Sequence, residues 1–224
     1  MTKGGKIVNI IDILKENIFS IITAIVAIIA IFQTSKQLKT SNKQFLFNKR
    51  IENYLIFYGI YELYIDNIKL LDYSDEKSDE AIIVDIQFSQ LTNNSYLKDI
   101  TKIINNPKNN DYKTEFLIKL EDMKRVATEI SFLFKNKYGL ALHDFIVCYQ
   151  NVLLEMYKYQ ILSDMMRNNN EQSFNNKTYK ELQKEYGELN HRTELYKSLD
   201  NLKASYIKII DEKIIDKIKR EMRL

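Results

Sequence analysis

The 224-residue chain predicts an all-α fold: an N-terminal transmembrane helix running into a long juxtamembrane helix, followed by a cytoplasmic helical bundle. Three observations predict it. Residues 17–35, NIFSIITAIVAIIAIFQTS, carry no charge; at ~1.5 Å rise per residue they span roughly 28 Å, close to the hydrocarbon thickness of a bilayer. Five Gly and one Pro are too few for the closely spaced turns of an all-β chain. Apolar residues also recur at helical spacing, with Leu117, Leu120, Val126, Ile130 and Phe134 on one stripe. Phe145, Val152, Met156, Tyr159 and Leu162 form another.

Composition excludes several classes. With 33 basic and 30 acidic residues the net charge is +3, too balanced for a dedicated nucleic-acid binder. One cysteine excludes an internal disulfide and a cysteine-rich zinc site. Gly4, Gly5, Gly59, Gly139 and Gly187 never take the spacing of a dinucleotide or Walker loop. The richness in Ile, Lys, Asn and Tyr, residues of AT-rich codons, points to a low-GC bacterium.

Residues 1–16 are read as a short extracytoplasmic N-terminus and residues 17–35 as the membrane helix. The isoleucines face all round the helix, unlike the single stripe of a soluble amphipathic helix. A cleaved signal peptide would be followed by ordinary mature sequence. Here Lys36, Lys39, Lys43, Lys49 and Arg50 follow directly, with no acid before Glu52. Lys3, Lys6 and Lys15 precede the span beside Asp12 and Glu16, so the positive-inside rule puts the C-terminal region in the cytoplasm. A single-pass protein of the bacterial inner membrane, N-terminus outside, is the expected localisation.

Residues 36–72 continue as the long juxtamembrane helix, since no Pro or Gly falls between Lys6 and Tyr58. A break near Thr40–Asn42, where Ser, Thr and Asn can cap a new helix, is the competing reading. After an acidic loop at Ser74–Asp79, residues 80–224 form the bundle. EAIIVDIQFSQL is a short helix, and Thr92 or Asn93 begins another that ends at the turn around Pro107. Asp111 caps a long helix through Lys137, with Gly139 as its stop. Leu140–Arg167 is the next helix and Asn168–Asn176 a polar loop. Lys177–Leu224 is helical, with a break between Gly187 and Lys203.

No catalytic constellation emerges, and neither an enzyme, a metal nor a cofactor is expected. His143, Asp144 and Cys148 do not share one helix face, so His143 reads as a surface or boundary histidine. His191–Arg192 reads as a solvated face and Cys148 as a buried, inert thiol. Asp122 and Glu155 have the lysine-neighboured spacing of a salt-bridged helix surface. A helical ribonuclease of the HEPN type requires an Arg four to six residues before a His, and neither histidine has one. Phe45, Phe47, Tyr54, Phe57, Tyr58, Tyr61 and Tyr64 read as core, the alternative being a stacking platform for nucleotides. The basic last helix, from Lys203 to Arg223, reads as a solvated face. Its alternative is a contact for anionic lipid or a nucleotide.

One pattern runs through the apolar stretch. Stepping by three and four from Glu16 gives Ser20, Thr23, Ala27, Ala30, Thr34, Gln37, Ser41, Gln44 and Asn48. Small residues mark helix–helix contact in lipid because they let backbones approach closely. The stripe is therefore either the dry seam of a homo-oligomer, the lining of a narrow pore, or a feature without oligomeric meaning. In the pore reading Glu16 is the only charge on the line and favours cations at the outer mouth.

The segment QLKTSNKQFLFNKRIENYLIFYGIYELY, after IFSIITAIVAIIAIF, resembles the juxtamembrane region of abortive-infection-like bacterial membrane proteins. The architecture is similar to the transmembrane effector of Hailong anti-phage systems and to the membrane accessory of type VI-B CRISPR loci. The resemblance covers roughly residues 15–65 and implies a homo-oligomeric channel that depolarises an infected cell. The expected partners are further copies of the chain, the lipid bilayer, and a nucleotide or oligonucleotide ligand or a defence-system protein. The resemblance transfers no functional residue. The alternative, from a different class, is a non-conducting, membrane-tethered adaptor or sensor that recruits a protein or nucleotide partner.

Overall fold

The computed structural model describes residues 4–71, 84–134, 136–172 and 178–222, except the side chains of residues 4–16, 136, 169–172 and 179. Among the described residues all regular structure is helical: α1 (Gly4–Asn67), α2 (Asp85–Leu91), α3 (Asn110–Leu133), α4 (Asn136–Gln172), α5 (Tyr179–Tyr186), α6 (Glu188–Asp211) and α7 (Ile214–Met222). Two 3-10 segments, Ile68–Leu71 and Lys98–Ile103, join them. Contacts divide the chain into a first unit, Met1–Asn48, and a second, Lys49–Leu224; α1 contributes to both.

The long-rod expectation holds, because α1 is one helix of 64 residues. The competing break at Thr40–Asn42 is absent. The Thr40 hydroxyl donates to the Lys36 carbonyl at 3.0 Å within the helix instead of capping a new one. The expected loop Ser74–Asp79 lies outside the described residues.

In the second unit, α1 buries Asn53, Tyr54, Phe57, Ile60, Tyr61 and Tyr64 at three- and four-residue steps. Phe57 meets Phe145 of α4 edge-on at 5.8 Å, and Tyr64 meets Tyr206 of α6 at 5.0 Å. The Arg50 guanidinium donates to the Leu133 carbonyl at the end of α3 (2.8 Å), and Asn53 donates to Glu129 (2.9 Å). Helices α3 and α6 both pack against α4, so α4 is the central layer. Its predicted stripe, Phe145, Val152, Met156, Tyr159 and Leu162, is buried throughout.

Several boundaries differ from expectation. The short helix expected from Glu80 begins at Asp85, residues 80–83 lying outside the description. The next segment is 3-10, not α, and starts at Lys98 rather than Thr92. Thr92 spends its hydroxyl on the Phe88 carbonyl (2.8 Å), while the Asn94 side chain accepts from the Tyr96 and Leu97 amides. Helix α3 is capped by Asn109, which accepts from the Tyr112 amide at 3.0 Å, not by Asp111. The buried face of α3 comprises Phe116, Leu120, Met123, Val126, Ala127 and Ile130; Leu117, expected inside, is exposed.

Gly139 is not a helix stop. It sits in the first turn of α4, where an added Cβ would lie 2.9 Å from the Ile130 carbonyl oxygen and 3.0 Å from that of Phe134. Its bare backbone lets α4 start against the end of α3. Helix α4 then runs to Gln172, so Asn168–Gln172 is helical rather than loop. The expected later break occurs at Gly187, which takes the left-handed conformation (φ 64°) between α5 and α6. A second, unexpected break falls at Glu212–Lys213, with Lys213 at φ 49°.

Candidate functional site

The charge-free stretch of α1 is helical throughout, and every side chain from Asn17 to Leu46 is exposed. Ten large apolar residues between Ile18 and Phe32 lie open, from Ile21 at 42% to Phe19 at 83%. The most apolar 18-residue window has a mean hydropathy of 2.2 and none of it is buried. No other described helix is long and apolar enough to cross a membrane.

Continuity of α1 puts the small-residue line on one face. At 3.6 residues per turn, Ser20, Thr23, Ala27, Ala30 and Thr34 fall within a sector of roughly 80°, and Gln37, Ser41, Gln44 and Asn48 widen it to roughly 120°. Ile21, Ile22, Ile25, Val26, Ile28 and Ile29 occupy the other directions. The Thr23 hydroxyl donates to the Phe19 carbonyl at 2.7 Å, so its proton is satisfied inside its own helix. Glu16 lies within α1, but its side chain is outside the described residues.

Of the aromatic run, Tyr54, Phe57, Tyr61 and Tyr64 are core and Tyr58 is half-buried against it, whereas Phe45 is exposed. The His143 ring nitrogen lies 3.1 Å from Asp144 on a part-exposed boundary. Among the described residues no cluster of His, Cys, Asp or Glu has the geometry of a metal site. Burial pushes the Cys148 thiol up, against a hydrogen bond with Ser205 that lowers it. A raised thiol is more fully protonated at neutral pH than a free one. Cys148 lines a crevice of about 150 Å³ between α4 and α6 with Asn151, Glu155, Ser198 and Asn201. A second groove, of about 440 Å³, lies between the Lys98–Ile103 segment and α3. Four of its five charged side chains are engaged: Lys102 pairs with Glu115 at 2.9 Å, Lys119 stands 4.5 Å over the Tyr96 ring, and the Tyr96 hydroxyl donates to Asp122 at 2.8 Å.

Arg192 corrects an expectation. It is buried rather than solvated, and its Nε donates at 2.8 Å to Glu188, whose side chain is only 3% exposed. The same Glu188 oxygen accepts from the buried Tyr159 hydroxyl, and Gln183 reaches the other oxygen at 3.3 Å. This cluster ties α4, α5 and α6 together beside Gly187. Sequence reasoning missed it although a signal was present, since steps of three and four back from Leu199 pass through Leu195, Arg192 and Glu188.

Comparison with protein-family models, curated proteins and solved structures returns no significant match to the chain.

Proposed function

We propose that this chain is a homo-oligomeric membrane effector. In this reading α1 crosses a bacterial inner membrane once, with the N-terminus outside. Copies of it associate along Ser20–Thr34 around a narrow gated pore, and the helical bundle controls that pore from the cytoplasm. The observation that carries the reading is the ten large apolar side chains left open on α1 between Ile18 and Phe32. At ~1.5–3 kcal/mol each, covering them is worth roughly 15–30 kcal/mol, more than the ~5–15 kcal/mol that holds a typical domain folded. Lipid supplies that cover at the right thickness. The stripe of small and polar residues, continuing as Gln37, Ser41 and Gln44, gives the helices a face that tolerates water. A ligand or partner that binds one arrangement of the bundle more tightly shifts the membrane helices with it. Depolarisation of an infected cell is the role the architecture suggests.

The Thr23 hydroxyl, satisfied by the Phe19 carbonyl, favours a second reading in which the seam is dry. The chain is then a non-conducting, membrane-tethered adaptor or sensor that recruits a protein or nucleotide partner. Ion flux from proteoliposomes separates the two. Flux from an oligomer supports the pore, an oligomer without flux supports the adaptor, and a strict monomer in detergent removes the pore.

A further inference from the structure

Lys36, Lys39 and Lys43 are the first cations after the apolar stretch, all three are exposed, and none pairs with a carboxylate among the described residues. No acid occurs before Glu52 to neutralise them. At 3.6 residues per turn they share a sector of roughly 60°, centred roughly 150° round the helix from Thr34, Gln37, Ser41, Gln44 and Asn48. Phe32, 73% exposed, lies one turn before Lys36 on the same side. The next two cations are engaged elsewhere: Lys49 pairs with Glu52 and Glu129, and Arg50 donates to the Leu133 carbonyl. The three lysines thus form a separate surface, on the side of α1 away from the small and polar stripe.

We infer that Lys36, Lys39 and Lys43 are a docking face for the anionic phosphodiester headgroups of the leaflet at the C-terminal end of the apolar stretch. The inference rests on the single-pass reading of α1. Lys36 to Lys43 covers roughly 10 Å of helix axis. That matches a headgroup layer of about 5–7 Å plus the reach of a lysine stem, and lies near the Debye length of about 8 Å. Phe32 sits below them at the depth of the acyl chains, so one line of side chains passes from apolar to cationic where the bilayer passes from hydrocarbon to phosphate. A helix that joins its neighbours through the polar stripe presents this line outward, toward lipid. A nucleic-acid surface needs a longer basic track than three lysines within two turns.

Spin-labelled lipids test this in vesicles of phosphatidylcholine mixed with phosphatidylglycerol and carrying the full chain. The wild type holds labelled phosphatidylglycerol over labelled phosphatidylcholine by roughly two- to five-fold, and high salt reduces the preference. Lys36→Gln/Lys39→Gln/Lys43→Gln removes most of it while the chain still resists alkaline carbonate extraction. A triple variant that keeps the wild-type preference overturns the inference, as does a wild type without one. Binding of a labelled single-stranded oligonucleotide through these lysines, without lipid preference, assigns the face to nucleic acid and also overturns it. A wild type extracted by carbonate defeats the single-pass reading instead, so the two failures are distinguishable.

Discussion

Arg192 donates to Glu188 at 2.8 Å in an ion pair whose side chains are 9% and 3% exposed, one helical turn apart at the start of α6. Two charges withdrawn from water hold together only as a pair. Glu188→Ala removes the carboxylate to which both the guanidinium and the Tyr159 hydroxyl donate. It is expected to cost about 3–5 kcal/mol. Glu188→Leu combined with Arg192→Met costs less than either single change. Thermal unfolding of the full chain in mild detergent checks the order, and additive losses would show that the pair is not coupled.

Gly139 and Gly187 fail differently when given a side chain. Gly139→Ala drives a methyl group onto the carbonyls of Ile130, Phe134 and Ser131, which are backbone and do not swing aside. A loss of about 1–3 kcal/mol follows. Gly187→Ala meets only an ordinary contact, Asn190 Nδ2 at 3.8 Å, but keeps a left-handed backbone, for about 1–2 kcal/mol. Gly187→Asn recovers part of that loss, because Asn tolerates the conformation, whereas Gly139→Asn recovers none. Unfolding midpoints of the four variants decide this.

Acid weakens the contact between α3 and the segment at Tyr96. Burial alone pushes the Asp122 carboxyl up, but hydrogen bonds from Arg125 at 2.5 Å and Tyr96 at 2.8 Å outweigh it and hold it below its ordinary 3.8. A depressed carboxylate stabilises the fold above the unfolded-state value, and that stability is lost as pH falls through the folded value. The stability advantage of wild type over Asp122→Asn is therefore full above about pH 5 and shrinks below the ordinary carboxylate value. Tyr96→Phe narrows the window. An advantage independent of pH would contradict the assignment.

The helices and the unbroken rod were legible because their cause is local: few helix breakers, apolar steps of three and four, and one charge-free run. Phe145, Val152, Met156, Tyr159 and Leu162 show how directly such spacing becomes a buried face. Leu117 shows its limit, since a one-residue rotation of α3 exchanges it for Phe116. Gly139 was misread because a glycine near a helix end signals a stop, while its role here is a close approach between two chain segments. The break at Lys213 carries neither Gly nor Pro. The Glu188–Arg192 pair hid behind its charge, as a buried ion pair and a solvated one have the same spacing. The stripe on α1 was visible in full, and in the single chain it is exposed.

Bulk on that stripe tests self-association. Ala27→Leu and Ala30→Leu are expected to weaken the proposed oligomer about tenfold, or ~1.4 kcal/mol, while Ile25→Leu and Ile29→Leu leave it intact. Cross-linking in detergent across a dilution series reads the difference, and equal behaviour of the two sets would detach the stripe from assembly. On the proposed pore reading, Glu16→Lys in planar bilayers is expected to weaken or reverse cation preference. An unchanged reversal potential would refute its place at the mouth.

The most direct test is a cysteine-accessibility scan of residues 17–35 in vesicles, on a Cys148→Ser background that removes the chain's single native cysteine. A water-soluble maleimide is predicted to label positions 20, 23, 27, 30 and 34 and to spare 21, 22, 25 and 29. Labelling at every position would contradict the account, because it would place the apolar stretch in water.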